Sequence, residues 1–497
     1  MTTTNVYSAA VTNVHVLKHR QSKVFPLAFL SFWLGCFCIG IAYLLLIWIE
    51  RGEYALRTIS IGSLVLLAFS FHLWVRKAMR DPFHPDILLT VGHLVQFVIP
   101  SIIFATGFLD GVIYPHTRQV RPYFPEMLFA VLVAQTVFNI PFCTVQTHRV
   151  SVREEPEKNW SFFIILMAVG VWTCRFFIVF TRSYFHGGSS DFMFTSTLYS
   201  PLAIFDSLGI IVIAYAALKI FGTGGVRKAI FPKLYIAVEI AWHLFSGKRE
   251  GLLMALLCVI LSYIFVRRKI PARYLLFFLF VLFVEVPFFQ YYRETTRMQS
   301  YHGEISIADA AKEALVQQKQ SNIKNTLNIV LGRLNDGQFA AGCFKSVPEF
   351  IPYLYGKTYE MIFWIPIPRM LYPARPQFVV NYNNLIQPWA TWFSAPVTAV
   401  GEAYINFGWF GIPLVFFLLG FIYRFMDSIF KPQLSYTEAA ILIFFCILLI
   451  RMTVNPAVLH LSWMVKVIIL LVAYRIMSKV RSVYSIPALP NDTLTTK

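Results

Sequence analysis

The sequence predicts an all-α, polytopic integral membrane protein with about twelve transmembrane helices. Hydrophobic residues make up 57% of the 497 residues and charged residues only 14%, whereas a soluble domain carries roughly 25% charged residues. The mean hydropathy is +0.61. Apolar runs close to the ~20 residues that cross the hydrocarbon core recur along most of the chain. Because that core offers no water to backbone groups, such runs must be helical.

The apolar runs place nine helices before one large loop and three helices after it. Residues 25–290 hold transmembrane helices one to nine, residues 291–408 form the large loop with a re-entrant segment, and residues 409–478 hold helices ten to twelve. The predicted spans are 25–49, 57–75, 87–108, 127–146, 160–180, 200–221, 229–245, 252–266, 274–290, 409–427, 437–452 and 459–478. The first span has full length and follows a largely polar stretch, so we expect an uncleaved anchor.

The placement of Lys and Arg orients these helices. With the N-terminus in the cytoplasm, the inner segments carry about three times as many basic residues as the short outer loops, as the positive-inside rule requires. Residues 1–24 and 479–497 are then cytoplasmic tails, and the loop 291–408 is extracytoplasmic. The same bias explains the net charge of +18. Since the charge is spread over loops rather than gathered on one face, nucleic-acid binding is excluded.

The seven cysteines indicate neither a disulfide framework nor a metal site. Six of them lie in or at the ends of predicted spans, and Cys343 alone lies in the large loop. The sequence has no CxxC pair and no His/Cys cluster with the spacing of metal ligands. It therefore predicts no metal and no cofactor.

The large loop has two halves of different character. Ile305–Gln318 and Ile323–Leu334 place apolar residues at helical spacing and are predicted to be amphipathic helices. The second half is rich in proline and aromatic residues, which favours a folded cap on the membrane over a solvated linker.

A short outer connection, Ser246–Gly251 with the sequence SGKREG, places Lys248, Arg249 and Glu250 between two apolar segments. Charges in so tight a hairpin are costly unless they face water, a partner or a ligand. The planar guanidinium of Arg249 suits phosphate oxygens. The alternative is a pair of basic side chains that snorkel to the interface beside Glu250.

Two further outer segments carry basic residues. After the ninth span, YYRETTR provides Tyr291, Tyr292, Arg293 and Arg297, for which an aromatic belt with a basic flank is the alternative. In the large loop, IPIPRMLYPARPQ holds Arg369 in a chain stiffened by proline. A structural turn is the alternative there.

The entry to the last three spans carries isolated polar residues. The sequence SAPVTAVGEAYINFGWFG, residues 394–411, predicts a short or re-entrant helix on which Glu402 and Asn406 share one face. A glycine-rich packing seam is the alternative. Arg451 ends the eleventh span and His460 opens the twelfth.

Two cations, Arg175 and Lys466, lie inside predicted spans. An ionisable residue at that depth is a functional candidate by default. A buried structural ion pair is the alternative for each.

Together these groups offer what a lipid-linked diphosphate sugar needs. Arginines can bind the pyrophosphate in bidentate fashion, aromatic rings can stack on sugars, and a carboxylate or histidine can transfer a proton. The isoprenoid tail would occupy a groove between helices.

At these residues the chain resembles the Wzy-type O-antigen and oligosaccharide repeat-unit polymerases. The matching pieces are SGKREGLL, YYRETTR, IPIPRMLYPARPQ and GEAYINFGWFGIPLV, in that order, with a large outer loop before the last spans. The resemblance covers about residues 230–430. It implies a GT-C-like, metal-independent membrane glycosyltransferase of the bacterial inner membrane, with a periplasmic active site. Such enzymes move a growing glycan from undecaprenyl diphosphate to the sugar of a new lipid-linked repeat unit.

The resemblance also implies roles for individual residues. Arg249, Arg293 and Arg369 would bind or neutralise the diphosphate, and Glu250, Glu402 or His460 would activate the acceptor hydroxyl. The remaining residues expected to contact substrate are Lys248, Arg297, Arg451, Tyr291, Tyr292 and Arg175. The expected partners are the undecaprenyl-diphosphate-linked oligosaccharide, membrane lipids, a chain-length regulator and a flippase.

Two other functions stay open at this point. A related O-antigen ligase with a lipid A-type acceptor would share the arginine-rich outer site. A polysaccharide flippase or other transporter would show two similar halves with helices broken at matching places, and the sequence shows one large loop and no obvious halves.

Overall fold

The computed structural model describes residues 29–79, 84–110, 112, 115–143, 151–152, 161–180, 208–222, 230–245, 249–269, 272–300, 307–364, 397–430, 433–452 and 457–484. This part of the chain is almost entirely helical, so the all-α class is confirmed. Two short strands, β1 (Ser151–Val152) and β2 (Gln433–Leu434), pair in parallel.

Fifteen helices of seven or more residues carry the described fold. They are α1 (Phe29–Trp48), α2 (Tyr54–Met79), α3 (Pro85–Ala105), α4 (Phe124–Phe138), α5 (Phe162–Phe180), α6 (Leu208–Gly222), α7 (Ile230–Phe245), α8 (Arg249–Arg267), α9 (Ala272–Ser300), α10 (Ile307–Gln320), α11 (Ile323–Leu334), α12 (Gly337–Ser346), α13 (Ala399–Ile429), α14 (Tyr436–Met452) and α15 (Ala457–Tyr484). One turn of α3, Leu94–Val98, is a π-helix.

Five helical stretches are long and apolar enough, by length and composition, to cross a membrane. They are Phe29–Trp48, Arg51–Arg76, Pro85–Ala105, Thr117–Phe142 and Ala399–Ile429. Four shorter apolar helices are Phe162–Phe176, Leu208–Gly222, Gly251–Arg267 and Leu276–Tyr292. The three remaining predicted spans coincide with α7, α14 and α15. The described helices are therefore compatible with a membrane-embedded protein, and the twelve crossings stay a prediction.

Contacts along α4 and α13 define the two ends of the bundle. The rings of Phe129 and Trp409 lie 5.6 Å apart, and those of Phe138 and Tyr423 lie 5.8 Å apart. The two helices therefore run parallel, with their first residues at the same end. We call this the Glu402 end, because Glu402 lies in the first turn of α13. The opposite end is the Asp86 end, where Gln135 in the last turn of α4 donates to the Asp86 carbonyl at 3.4 Å.

The first half of the large loop forms the two predicted amphipathic helices, observed as α10 and α11. They form a hairpin that folds back along α9. Gln318 Nε2 donates to the Val284 carbonyl at 2.8 Å, and the Tyr291 hydroxyl donates to Ser321 Oγ at 2.9 Å. Since Val284 belongs to the predicted ninth span, the hairpin reaches beside that span. Helix α9 itself continues ten residues beyond the expected boundary at 290, to Ser300.

A further loop helix, α12, packs deep between α4 and α13. A Cβ on Gly337, at its start, would come within 2.9 Å of the Met127 methyl group. The Thr117 hydroxyl donates to Gln338 Oε1 at 2.6 Å. This part of the large loop therefore belongs to the helical core.

The Asp86 end holds a fully buried charged cluster. The carboxylate of Asp86 is 0% exposed and contacts the guanidinium of Arg76 and the ring of His84. His72 Nε2 lies 3.2 Å from the same carboxylate, and its other ring nitrogen lies 2.9 Å from Ser31 Oγ. These contacts join α1, α2 and α3. A buried carboxylate is stable only when it is paired in this way.

Replacing Asp86 with Asn is expected to lower the free energy of unfolding by about 3–5 kcal/mol, because Arg76 stays buried without its carboxylate. The Arg51–Glu126 pair provides the control, since the Arg51 side chain is 67% exposed and Arg57 also lies 3.6 Å from the Glu126 carboxylate. Arg51→Gln should cost less than ~1 kcal/mol. Thermal unfolding of the purified protein, followed by tryptophan fluorescence, measures both variants. Equal losses would contradict a special role for the buried cluster.

Candidate functional site

Three segments from distant parts of the sequence meet at the Glu402 end. They are the first half of α13, the loop Leu354–Glu360 and the start of α15. The meeting is possible because α13 is broken: Gly408 has φ 62° and ψ −150°, outside the helical region. The predicted short helix before the tenth span is therefore confirmed as the first half of a kinked helix.

The break at Gly408 leaves carbonyl groups of the preceding turn without helical partners. The loop supplies the missing donors: Leu354 N–H donates to the Ile405 carbonyl at 2.9 Å, and Tyr355 N–H to the Asn406 carbonyl at 3.0 Å. Tyr355 adopts a positive φ of 47° to do so. Such strain in a large residue persists only where the surroundings impose it.

Glu402 lies at the centre of the three segments and is 2% exposed. Its Oε2 accepts the backbone N–H of Val458 at 3.2 Å, and the Ala457 N–H and the Thr358 hydroxyl also point to its carboxylate. The carboxylate therefore caps the N-terminus of α15, where the unpaired amide groups and the helix dipole favour a negative charge.

Asn406 fixes the direction of the hydrogen bonds around Glu402. Its Oδ1 accepts the Gly356 N–H at 3.0 Å, and its Nδ2 donates to Thr358 Oγ at 2.7 Å. Because the Thr358 oxygen accepts that bond, its single hydrogen remains for the Glu402 carboxylate. The i, i+4 pair expected from the sequence thus holds one shared partner, Thr358.

Arg451 and His460 lie beside this network. Arg451 is in the last turn of α14, and His460 is the fourth residue of α15, one turn after the segment that Glu402 caps. The His460 ring is buried, with the Arg451 backbone next to it. Neither ring nitrogen makes a hydrogen bond of normal geometry with any described residue.

Tyr359 adds a buried hydroxyl to the same place. Its ring stacks on Phe407 with a centroid distance of 6.0 Å and an interplanar angle of 8°. The hydroxyl has no hydrogen-bond partner among the described residues. Burial, reinforced by the negative charge of Glu402, holds the pKa of Tyr359 well above its usual value. This hydroxyl is therefore protonated at neutral pH.

A second charged cluster lies on α5 and α7. Arg175 Nη1 donates to Glu239 Oε1 at 2.7 Å, and both side chains are almost fully buried. The guanidinium lies 5.0 Å from the Trp172 ring centroid and 5.3 Å from that of Trp242. His243 Nε2 is 3.9 Å from Glu239 Oε2. The buried ion pair, one of the two interpretations of Arg175, is the observed arrangement.

The predicted site residues fall into four groups. Glu402 caps the start of α15 through the Val458 N–H, two residues before His460, and the His460 ring lies next to the Arg451 backbone. Arg175 lies in the ion pair with Glu239. Tyr291 is bound to the α10–α11 turn, and Tyr292 stacks on Phe288 at 6.4 Å. Of the other predicted residues, Arg249 and Glu250 open α8, and Arg293 and Arg297 lie on α9. The side chains of these four residues, and Lys248 and Arg369 as a whole, lie outside the described part of the structure.

Sequence reasoning missed Thr358, Tyr359 and the cluster around Asp86. The rule that ionisable residues near span ends need partners could have found Asp86, which follows His84 and precedes a long apolar run. Nothing in the local sequence marks Thr358 or Tyr359. In the described part of the chain, no group of three or more His, Cys, Asp or Glu residues is arranged to hold a metal ion.

The structural interpretation of Arg175 can be tested by removing its charge alone and together with that of Glu239. Arg175→Met leaves a buried carboxylate without its cation and should cost about 3–5 kcal/mol of unfolding free energy. The double variant Arg175→Met/Glu239→Leu should recover most of this loss. The melting temperatures of the wild type, the single variant and the double variant measure these effects. A double variant no more stable than the single one would show that the pair is not the main contact of Arg175.

Comparison with known proteins gives one match, to a family model based on sequence. No curated protein and no solved structure matches it. One family model, described as "Domain of unknown function (DUF8712)", matches residues 173–477. This range starts within α5 and ends within α15, so it contains Glu402, Arg451 and His460. Because the match covers more than half of the 497 residues, the chain belongs to the DUF8712 family.

Proposed function

We propose that this protein is a membrane glycosyltransferase that polymerises undecaprenyl-diphosphate-linked oligosaccharide repeat units. The reaction would take place at the periplasmic face of the bacterial inner membrane, which the Lys and Arg distribution assigns to the Glu402 end. One observation carries the proposal: Glu402 of α13 caps the start of α15, and the His460 ring on α15 lies next to the backbone of Arg451 in the last turn of α14. These are the residue types that the resemblance to Wzy-type polymerases led us to expect at the site.

The transfer needs a base and a stabilised leaving group. The acceptor hydroxyl attacks the anomeric carbon of the donor glycan, the carbon–oxygen bond to the diphosphate breaks, and its electron pair leaves with undecaprenyl diphosphate. Arg451 offers a permanent positive charge for the departing diphosphate. His460 or Glu402 offers a base for the acceptor proton. Arg249, Arg293 and Arg369 would complete the diphosphate site by analogy with the family that the motifs resemble.

The surface of α13 suits the isoprenoid tail. Directly after the break at Gly408, Trp409 and Phe410 are 42% and 71% exposed, and Leu414 and Leu418 continue the apolar surface along the helix. This surface begins beside the polar site and would face lipid. A polyprenyl chain could follow it while its diphosphate remains at the Glu402 end.

A flippase or other transporter is the second candidate. It is favoured by the buried ionised networks at Asp86 and at Arg175–Glu239, since intramembrane charges often mark transport pathways. An O-antigen ligase would share the arginine-rich outer site of the polymerase and is separated from it by its acceptor.

Glycan analysis of a deletion strain tests the polymerase. Strains that carry Arg249→Ala or Arg451→Ala should make chains of one repeat unit, while ligation of that unit persists. Loss of a positive charge that stabilises the leaving group typically lowers the rate by about 100-fold or more. Arg51→Ala is the control, since Arg51 lies at the same end and is 67% exposed. Chains of normal length in both test strains would refute these assignments.

A second experiment separates an enzyme from a transporter. The purified wild-type protein in detergent, which has no compartments, should extend the lipid-linked oligosaccharide extracted from the deletion strain. The extension should persist when a chelator removes divalent metal ions. A protein that moves this lipid across liposome membranes but never lengthens its glycan would be a transporter.

A further inference from the structure

Two buried polar groups without partners lie in the candidate site. The Tyr359 hydroxyl has no hydrogen-bond partner among the described residues, and neither ring nitrogen of His460 makes a hydrogen bond of normal geometry with one, although the Arg451 backbone lies next to the ring. A buried polar group without a partner costs about 1–3 kcal/mol, and most such groups in proteins are satisfied. Two of them beside one carboxylate indicate that something else satisfies them during function.

The Glu402 carboxylate, in contrast, has several hydrogen-bond donors around it. Its carboxylate is addressed by the Thr358 hydroxyl and by the backbone N–H groups of Ala457 and Val458. A carboxylate has about four acceptor positions, so three donors leave little capacity for a substrate proton. The geometry therefore separates an anchored carboxylate from two groups whose bonding capacity is unused.

We propose that Tyr359 and His460 bind the acceptor sugar, with His460 as the base and Glu402 as a positioning residue that holds the start of α15. This assignment rests on the proposed function and names the groups that contact the acceptor. Glu402 acts through α15, because it caps the helix on which His460 stands one turn later. Thr358 and Asn406 hold Glu402 in turn.

The unused groups suit a hydroxyl-bearing ligand better than an anion. A protonated phenol and a neutral imidazole can each both donate and accept a hydrogen bond, and a sugar hydroxyl has the same two capacities. Tyr359 remains protonated because the pKa of its hydroxyl is held well above the usual value, so it serves as a hydrogen-bond partner rather than as a base. Phosphate would instead require permanent cations.

The proposed step balances within the site. A nitrogen of His460 accepts the proton of the acceptor hydroxyl while its oxygen forms a bond to the donor's anomeric carbon. The bond from that carbon to the diphosphate oxygen breaks, and the electron pair leaves with undecaprenyl diphosphate. Tyr359 holds the acceptor sugar by a hydrogen bond throughout.

Tyr359→Phe is the central test, because it removes only the hydroxyl and keeps the ring that stacks on Phe407. The matched control is Tyr423→Phe, which removes another buried hydroxyl without a partner among the described residues, near the Asp86 end. The probe is the lipid-linked oligosaccharide fraction extracted from the deletion strain. Tyr359→Phe should lower kcat/KM about 10-fold or more, the effect of one lost hydrogen bond of ~1.4 kcal/mol. Tyr423→Phe should stay within about twofold of wild type, and both melting temperatures should be preserved.

His460→Gln tests the base, since glutamine keeps a polar side chain without a basic nitrogen. It should reduce the rate by about 100-fold or more and remove the limb of the pH–rate profile that comes from protonation of the base. Thr358→Val should lower the rate with little change in KM, and Thr358→Ser should restore it, because serine keeps the hydroxyl that binds Glu402.

The outcomes distinguish the two levels of the proposal. If the wild-type protein extends the lipid-linked fraction and Tyr359→Phe does so at the same rate, the assignment of the acceptor site is wrong and the polymerase stands. An unchanged pH profile for His460→Gln would overturn the assignment of His460 as the base. If the wild-type protein neither binds nor extends the fraction, the proposed function fails and this assignment fails with it. Should His460→Gln not fold, Tyr359→Phe alone decides.

Discussion

An apolar bundle can hold an ionised side chain only where the protein itself supplies the opposite charge or enough hydrogen-bond donors. Three of the buried carboxylates in the described part of the chain meet this constraint in different ways. Asp86 is surrounded by Arg76, His72 and His84, whereas Glu239 has one arginine, Arg175. Glu402 is held by a helix N-terminus and a hydroxyl instead of a cation. Because the partners come from other helices, these carboxylates determine which helix ends must meet.

The break in α13 links this constraint to the chemistry. A straight helix would satisfy its own carbonyls and leave the loop Leu354–Glu360 without its anchor. With Gly408 outside the helical region, the Ile405 and Asn406 carbonyls turn to the loop, which then carries Thr358 to Glu402 and Tyr359 to Phe407. The hydrogen bonds that satisfy these backbone carbonyls therefore also position the polar side chains of the loop.

The fold class and most helices could be predicted from the sequence because they depend on local patterns. The amphipathic spacing in Ile323–Leu334 specifies α11, and the run of small and polar residues before Trp409 marks the short helix of the entry to the tenth span. The site was only partly predictable. Glu402, Arg451 and His460 stood out as polar residues at apolar helix ends, since the membrane makes such residues expensive wherever they occur.

Contacts that depend on distant parts of the chain could not be predicted. Arg175 and its partner Glu239 are 64 residues apart, and no local signal says that the pair forms. Thr358 and Tyr359 lie in an ordinary turn sequence, and their position follows only from the kinked helix beneath them. The length of α9 was underestimated for a related reason. Past residue 290 the helix becomes polar, so its apolar pattern no longer marks it. There the helix is held by packing against the α10–α11 hairpin.

The parallel packing of α4 on α13 has a consequence for where the folding unit ends. The range shared with the DUF8712 family begins at residue 173 and so omits α1 to α4. Yet α13, which carries the candidate site, lies so close to α4 that a Cβ on Gly420 would come within 2.6 Å of the Phe138 carbonyl oxygen. A fragment limited to residues 173–477 would lose this neighbour and expose the buried face of α13. The unit recognisable by ancestry is therefore smaller than the unit that shares one hydrophobic core.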